Sequence, residues 1–424
     1  MNRGREFVIG AVTSSVIGLA VSAAWIPAVA LSIALPALWI RQPSARSCFC
    51  CALTYYITAL HALPEVARNF FGPNTGFIDG LGLWLVASGI LALPWLWLWS
   101  HSAKAALWRV PLALLMSVIP PLGLIGWASP TVAAGLLFPA TGYVGFAMAV
   151  CLPACLAVAP KRTIVCAVSV VVLCNAFHPQ PPHAPGDWEA IDTHYGAVSH
   201  ERIDPLREYK IAEDVQSRSL SSTARVIVFP ESVIPRWTTA TDHFWAEALT
   251  GLKQAGKTVV IGAIAPIATA GAQSRGAEYD FTASISALRQ PTRRSRDLRV
   301  MAKNTEQLSY KNEVVIRGAE TGTFIQRVPI PLGMWRPFTN SGAPLGLGGA
   351  GVIRIAEHHV AIIICYEQLI PWPVLSSFVE RPSIVIAIAN NVWVSGTPIP
   401  RVQQKTMRAW ARLFHVPIIF AANS

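Results

Sequence analysis

Hydrophobic and polar positions divide the chain into two unlike halves. From residue 6 to residue 178, apolar residues run in long stretches over 6–24, 25–40, 47–63, 77–99, 106–127, 130–158 and 163–178. A helix needs about 20 apolar residues to cross the hydrocarbon layer of a bilayer. The stretches predict about seven membrane-spanning helices, with six or eight also compatible, because 25–40 and 47–63 are short. The first two could fold together as one re-entrant hairpin. The first is read as a retained span, since more spans follow it at once and no cleavage site intervenes.

From about Trp188 the pattern changes. Short β-branched runs occur at Val226–Phe229, Thr258–Ile264, Val314–Ile316, Gly351–Ile355, Val360–Ile364 and Ser383–Ile388. Runs of this length and composition predict buried strands. Helices are expected at His243–Gln254 and Arg401–Phe414. Strands alternating with helices predict an α/β sandwich. The expected organisation is a transmembrane domain over 1–178, a linker over 179–187 and a soluble α/β domain over 188–424. The linker is stiffened by the prolines between Pro179 and Pro185. The glycine-rich Ser341–Gly351 reads as a surface loop; no Lys-Ser/Thr follows it, so it does not fit a phosphate cradle.

Composition sharpens this division. The 424 residues are 53% hydrophobic and 13% charged, against roughly 25% charged in soluble domains. Only Glu6, Glu65 and Asp79 are acidic before residue 179. The net charge of +11 does not predict a nucleic-acid partner, because the basic residues are scattered and several sit in short loops between spans. Arg289–Arg299 is one concentrated basic stretch, read as a solvated loop. Arg3, Arg5, Arg41, Arg46, Lys104, Arg109, Lys161 and Arg162 fall on one side of alternating spans, and the other side holds Arg68. The positive-inside rule then predicts an inner-membrane protein with a cytoplasmic N-terminus and a periplasmic C-terminal domain. Seven of eight cysteines lie in the apolar half, as small hydrophobes. Cys48, Cys50 and Cys51 have no His or acidic residue close by, so no metal is expected. Cys365 stands apart in the polar half, without a disulfide partner there, and is a candidate reactive thiol.

Three segments carry candidate chemistry. Val226–Phe229 leads into Pro230, Glu231 and Ser232. Val360–Ile364 leads into Cys365, Tyr366 and Glu367. Ser383–Ala389 leads into Asn390, Asn391, Val392 and Trp393. Each is a strand with polar or nucleophilic groups at its C-terminal tip, where open α/β sheets place their sites. Taken singly, a glutamate after a strand reads as a turn residue and a buried cysteine as packing.

Together these blocks resemble the signatures of the nitrilase (carbon–nitrogen hydrolase) superfamily, whose domain is an α-β-β-α sandwich. Apolar spans ahead of such a domain resemble the apolipoprotein N-acyltransferase branch. Tyr310-Lys311-Asn312, the loop Pro331–Phe338 and the closing segment Gln403–Asn423 fit the same pattern. The chain ends at Ser424 without a further span, which matches a conjugal-transfer group within that branch. The resemblance implies Cys365 as nucleophile, Glu231 as general base and acid, and substrate contacts from Tyr366, Glu367, Asn391 and Trp393. It implies no cofactor, an acyl or amide substrate of membrane-lipid character, and conjugation-apparatus proteins as partners. A family lysine stabilises the oxyanion; its place here falls on Gln326, with Arg327 one residue away and Lys311 a poorer alternative. The branch's loop glutamate is Met334. The sequence thus supports two functions: a membrane-bound amidase or N-acyltransferase, or a catalytically impaired structural component of a conjugation apparatus.

Overall fold

The computed structural model describes residues 3–23, 25–72, 77–177, 180–196, 204–267, 309–339 and 341–424. The basic stretch Arg289–Arg299 lies outside the described residues. The chain forms two compact units, Met1–Pro185 with Ala350–Phe420, and Gly186–Gly349 with Ala421–Ser424.

The apolar half is helical: α1 (Arg3–Ser22), α2 (Ile26–Leu31), α3 (Leu35–Ile40), α4 (Ala45–Ala59), α5 (Leu63–Phe71), α6 (Phe77–Trp97), α7 (Ala103–Met116), α8 (Ala134–Leu137), α9 (Gly142–Val158) and α10 (Pro160–Phe177). About seven spans are expected from the apolar stretches. Among the described residues three helices are long and apolar enough to cross a membrane: Gly4–Ser22, Ile78–Trp97 and Pro160–Phe177. The pair α4 and α5, bent by 50°, makes up to four, and Gly142–Val158 is apolar but shorter. Several breaks in the other stretches lie beside prolines, which lack the N–H that continues a helix, although Pro111 and Pro153 sit inside α7 and α9. Stretch 25–40, with Pro27 and Pro36, becomes α2, a 3-10 turn and α3; stretch 106–127 stops being α-helical at Met116, ahead of Pro120 and Pro121. Stretch 130–158 opens with a 3-10 turn at Pro130–Ala133 and breaks between α8 and α9, where Ala140 takes a left-handed φ of 61°.

The unit Gly186–Gly349 is built on a five-stranded sheet in the order β1 (Trp188–Ala190), β2 (Val226–Val228), β3 (Thr258–Pro266), β4 (Tyr310–Gly318) and β5 (Gly322–Ile325). The first three strands are parallel, and β4 and β5 are antiparallel additions. Helices α11 (Pro205–Ser221) and α12 (Thr239–Gln254) cover one face. Their Ile211, Val215, Trp245 and Leu252 pack with Ile227, Phe229, Val259, Ile261 and Val315 into one buried core. Asp204 caps α11 by accepting from the Arg207 backbone N–H, and Thr238 with Thr241 forms a capping box on α12, each satisfying backbone donors that a helix start leaves open.

The other unit adds to its helices a four-stranded sheet in the order β6 (Val352–Ile355), β7 (His358–Ile364), β8 (Ile384–Asn390) and β9 (Ile418–Asn423), with α13 (Pro371–Phe378) and α14 (Ile399–Phe414). β7 and β8 are parallel, with Ile364 opposite Ile388, and both are almost wholly buried. Buried parallel strands read as continuous apolar runs, as Val360–Ile364 and Ile384–Ala389 do. This sheet packs with the apolar helices. A Cβ on Gly135 in α8 would lie 1.7 Å from the Ala409 carbonyl oxygen of α14, so only glycine permits that approach. Phe146 packs on Trp410 and Tyr143 on Phe414, while the Tyr143 hydroxyl donates to the Leu375 carbonyl at 2.5 Å. Arg412 donates to Asn175 of α10 at 2.7 Å.

Candidate active site

Two clusters contain the residues singled out from the sequence, one in each unit. The first is the turn after β7. Ile364 is extended, and Cys365 opens a 3-10 turn over Cys365–Leu369 with a φ of 50°. A non-glycine residue there carries strain on the order of 1–3 kcal/mol and persists only where its surroundings over-determine it. The turn is buried throughout. The Glu367 carboxylate accepts the Ile364 N–H at 3.0 Å. Gln368 donates to the Ile388 carbonyl at 2.8 Å and, more weakly, to that of Ile363. Gln403, from α14, donates to the Cys365 carbonyl at 3.0 Å. Tyr366 donates to the Leu124 carbonyl at 2.6 Å and packs on Trp127. Burial pushes its phenol well above the ordinary tyrosine range.

Asn391 and Trp393 follow β8, and the parallel register of β7 and β8 puts them at the same edge of the sheet as Cys365. Trp393 meets Phe70 of α5 edge-on at 5.9 Å, and Asn69 of the same helix donates to the Ser395 carbonyl. Helix α5 therefore braces the segment after β8.

The second cluster is in the other unit, at the end of β2. Ser232 has a φ of 55°. The turn lies so close to β3 that a Cβ on Gly262 would come within 2.3 Å of the Pro230 oxygen and 2.4 Å of the Glu231 Cα. Backbone bonds from the Gly262 N–H to Pro230 and from the Ile234 N–H to Gly262 fasten the turn to the strand. Glu231 is buried, and Asn312 donates through Nδ2 to its Oε1 at 2.6 Å. The same amide nitrogen donates to Gln326 Oε1 at 2.9 Å, and the Ser232 hydroxyl bonds Asn312 Oδ1. The Gln326 backbone N–H donates to the Asn312 carbonyl, continuing the β4–β5 ladder, so the two side chains are cross-strand neighbours on one face.

Of the residues near the family lysine position, Gln326 joins the Glu231 network. Arg327 lies along Gly346–Gly349 with its guanidinium over Phe324. Lys311 precedes Asn312 on β4, and its charge acts on the buried Glu313. Tyr310, at the start of β4, is pushed up to about 12, chiefly by burial and next by the negative charge of Glu231. Met334 is buried in its loop. Among the described residues no group of three His, Cys, Asp or Glu could hold a metal ion.

Sequence reasoning gave no role to Gln403, Gln368 or Asn312. Gln403 carried one signal: an amide in the stripe of α14 that otherwise buries Ile399, Met407 and Trp410.

No family model matches the chain. Among solved structures, an amidase from Nesterenkonia sp. AN1, of the nitrilase superfamily, aligns with 56% of this chain and 76% of its own at 11% identity and a TM-score of 0.32. Conjugal transfer protein TraB of Agrobacterium fabrum is 29% identical over 408 residues, covering 92% of this chain and 86% of that protein. A probable conjugal transfer protein TraB of Sinorhizobium fredii is 27% identical over 401 residues, 93% of this chain and 92% of that one. Over more than nine-tenths of its length, the chain is thus a relative of proteins named conjugal transfer protein TraB.

Proposed function

We propose that this protein is a membrane-anchored nitrilase-type enzyme of conjugal plasmid transfer, an amidase or N-acyltransferase that works through an acyl-thioester on Cys365. The observation that carries the reading is the Cys365 turn: a buried thiol residue at a left-handed φ on the tip of a buried strand, within the Cys365-Tyr366-Glu367 block that resembles the family nucleophile.

The proposed chemistry has two steps. The Cys365 sulfur attacks an acyl carbonyl while Glu231 takes the thiol proton, and a tetrahedral oxyanion forms. The oxyanion collapses, the leaving group departs with the proton from Glu231, and the acyl group remains as a thioester. An amine or water then attacks the thioester, Glu231 relays its proton back to the sulfur, and the thiol is restored. The Gln326 amide supplies a neutral donor where the family uses a lysine. Tyr366, Glu367, Asn391 and Trp393 border the substrate. The apolar helices make a lipid-borne acyl donor the natural substrate class. The basic residues support an inner-membrane location with the N-terminus in the cytoplasm and the catalytic half outside. The link to conjugation rests on the names of the relatives.

Cys365→Ala should lower transfer of the plasmid by about 10³-fold or more at unchanged protein level, the order expected when a covalent nucleophile is lost. Glu231→Gln should act in the same direction. Mass spectrometry of protein from native membranes should find an acyl mass on the Cys365 peptide. A phosphatase fused after Ser424 should be active only if that end faces outward. The replacement of the family lysine and loop glutamate by Gln326 and Met334 favours a second reading, a structural component that has lost turnover. Full transfer by Cys365→Ser, with no acyl adduct on the wild-type protein, would establish that reading instead.

A further inference from the structure

We infer that Gln403 is a positioning residue for Cys365: by holding the Cys365 carbonyl, its side-chain amide fixes the direction in which the thiol leaves the turn. The inference rests on the reading of Cys365 as the nucleophile.

The peptide unit is planar, so fixing the carbonyl of residue 365 fixes its ψ. On the other side, the Ile364 N–H is held by the Glu367 carboxylate. The turn is therefore held by a carboxylate from within it and by an amide from a distant helix. The carboxylate acts on the peptide unit before Ile364, and the 3-10 turn is the local restraint on the Cys365 carbonyl. The bond from Gln403 at 3.0 Å adds a tie from that carbonyl to a helix distant in sequence.

The surroundings of Gln403 support a specific purpose. Gln403 is 1% exposed, and its Oε1 is buried without a hydrogen-bond partner. A buried acceptor left unpaired is costly, whereas an apolar side chain of the same shape would not be. Packing alone would therefore favour methionine or leucine at this place in the stripe of α14. The Nε2 contact to Cys365 is the interaction that the amide makes and an apolar residue could not.

The test is the rate at which methyl methanethiosulfonate modifies Cys365 in the full-length protein in detergent, followed by mass spectrometry of the Cys365 peptide. Cys151 and Cys166 are exposed on α9 and α10 and serve as internal references. Gln403→Met is expected to slow modification of Cys365 about tenfold, the scale of one hydrogen bond, with the reference cysteines and Tm unchanged. Gln403→Glu supplies a second readout should the methionine variant fold poorly. Its neutral acid can donate to the carbonyl, but its carboxylate repels it, so the ratio of its rate to wild type should fall as pH rises through the ionisation of the new carboxyl. Equal rates for wild type and both variants, with no pH-dependent ratio, would overturn the role of Gln403 alone. A wild-type Cys365 that resists the reagent while Cys151 and Cys166 react would overturn the nucleophile reading, and this one with it.

Discussion

The turns after β7 and β2 use the same backbone device and stabilise it by different means. Both follow strands that end in fully buried runs, and both place a non-glycine residue at a left-handed φ, Cys365 at 50° and Ser232 at 55°. The β7 turn is held by long polar side chains, Glu367, Gln368 and Gln403, each bonded to a backbone group. The β2 turn is held by the absence of a side chain, since Gly262 lets two backbones meet. The first arrangement orients the strained residue itself. The second fixes the neighbour of the strained residue, Glu231, against Asn312 and Gln326. An orientation held by hydrogen bonds should weaken by steps when its holders are altered. A position held by close backbone approach should fail at the first added carbon.

That contrast can be tested. The largest effect is expected from Gly262→Ala, because the added carbon meets backbone that cannot swing aside. Destabilisation of about 3 kcal/mol, at the upper end for overpacking, should appear in urea unfolding of the detergent-purified protein. A loss under about 0.5 kcal/mol, as for ordinary surface changes, would show that the turn gives way easily. Next comes Gln326→Leu, which removes one acceptor from Asn312 and the amide donor proposed for the oxyanion. Acylation of Cys365 by an activated ester should slow by about 10²-fold, the low end for loss of an oxyanion donor; an unchanged rate would remove Gln326 from the chemistry.

The smallest effect concerns Glu313, which neighbours Asn312 but points to the opposite face of β4. Burial raises its carboxyl pKa, against the pull of Lys311 and Arg317. A carboxyl that holds its proton more tightly in the folded state loses stability as pH rises above its unfolded value. Glu313→Gln should therefore raise Tm at about pH 8 and leave it nearly unchanged at about pH 3.5, where both states are largely protonated. A gain that is the same at both pH values would point to packing.

The strand ends were legible in the sequence for a physical reason. Val226–Val228, Val360–Ile364 and Ile384–Ala389 are buried on both faces, so composition alone marks them, and the polar residues after each mark the tip. β5 was not legible, because Gly322–Ile325 is four residues long and only Phe324 is buried. α11 has few apolar residues for its length, and its buried face is Ile211, Ala212, Val215 and Ser219. The apolar stretches read as continuous because hydropathy registers apolarity and not breaks in the helix such as the one ahead of Pro120 and Pro121. The partners of the candidate residues lay beyond local pattern: Asn312 meets Glu231 across 81 positions, and Gln403 meets Cys365 across 38.

The bond from Tyr366 to the Leu124 carbonyl, with the fit of Gly135 against Ala409, has a practical corollary. The polar half looks like a module that could be cut out and produced in solution. Severed at residue 187, it would uncover Trp410 and the aromatic ring next to Cys365, and strand greasy surface in water. Inhibitor screens and reactivity assays therefore belong on the intact polypeptide in a lipid-like medium.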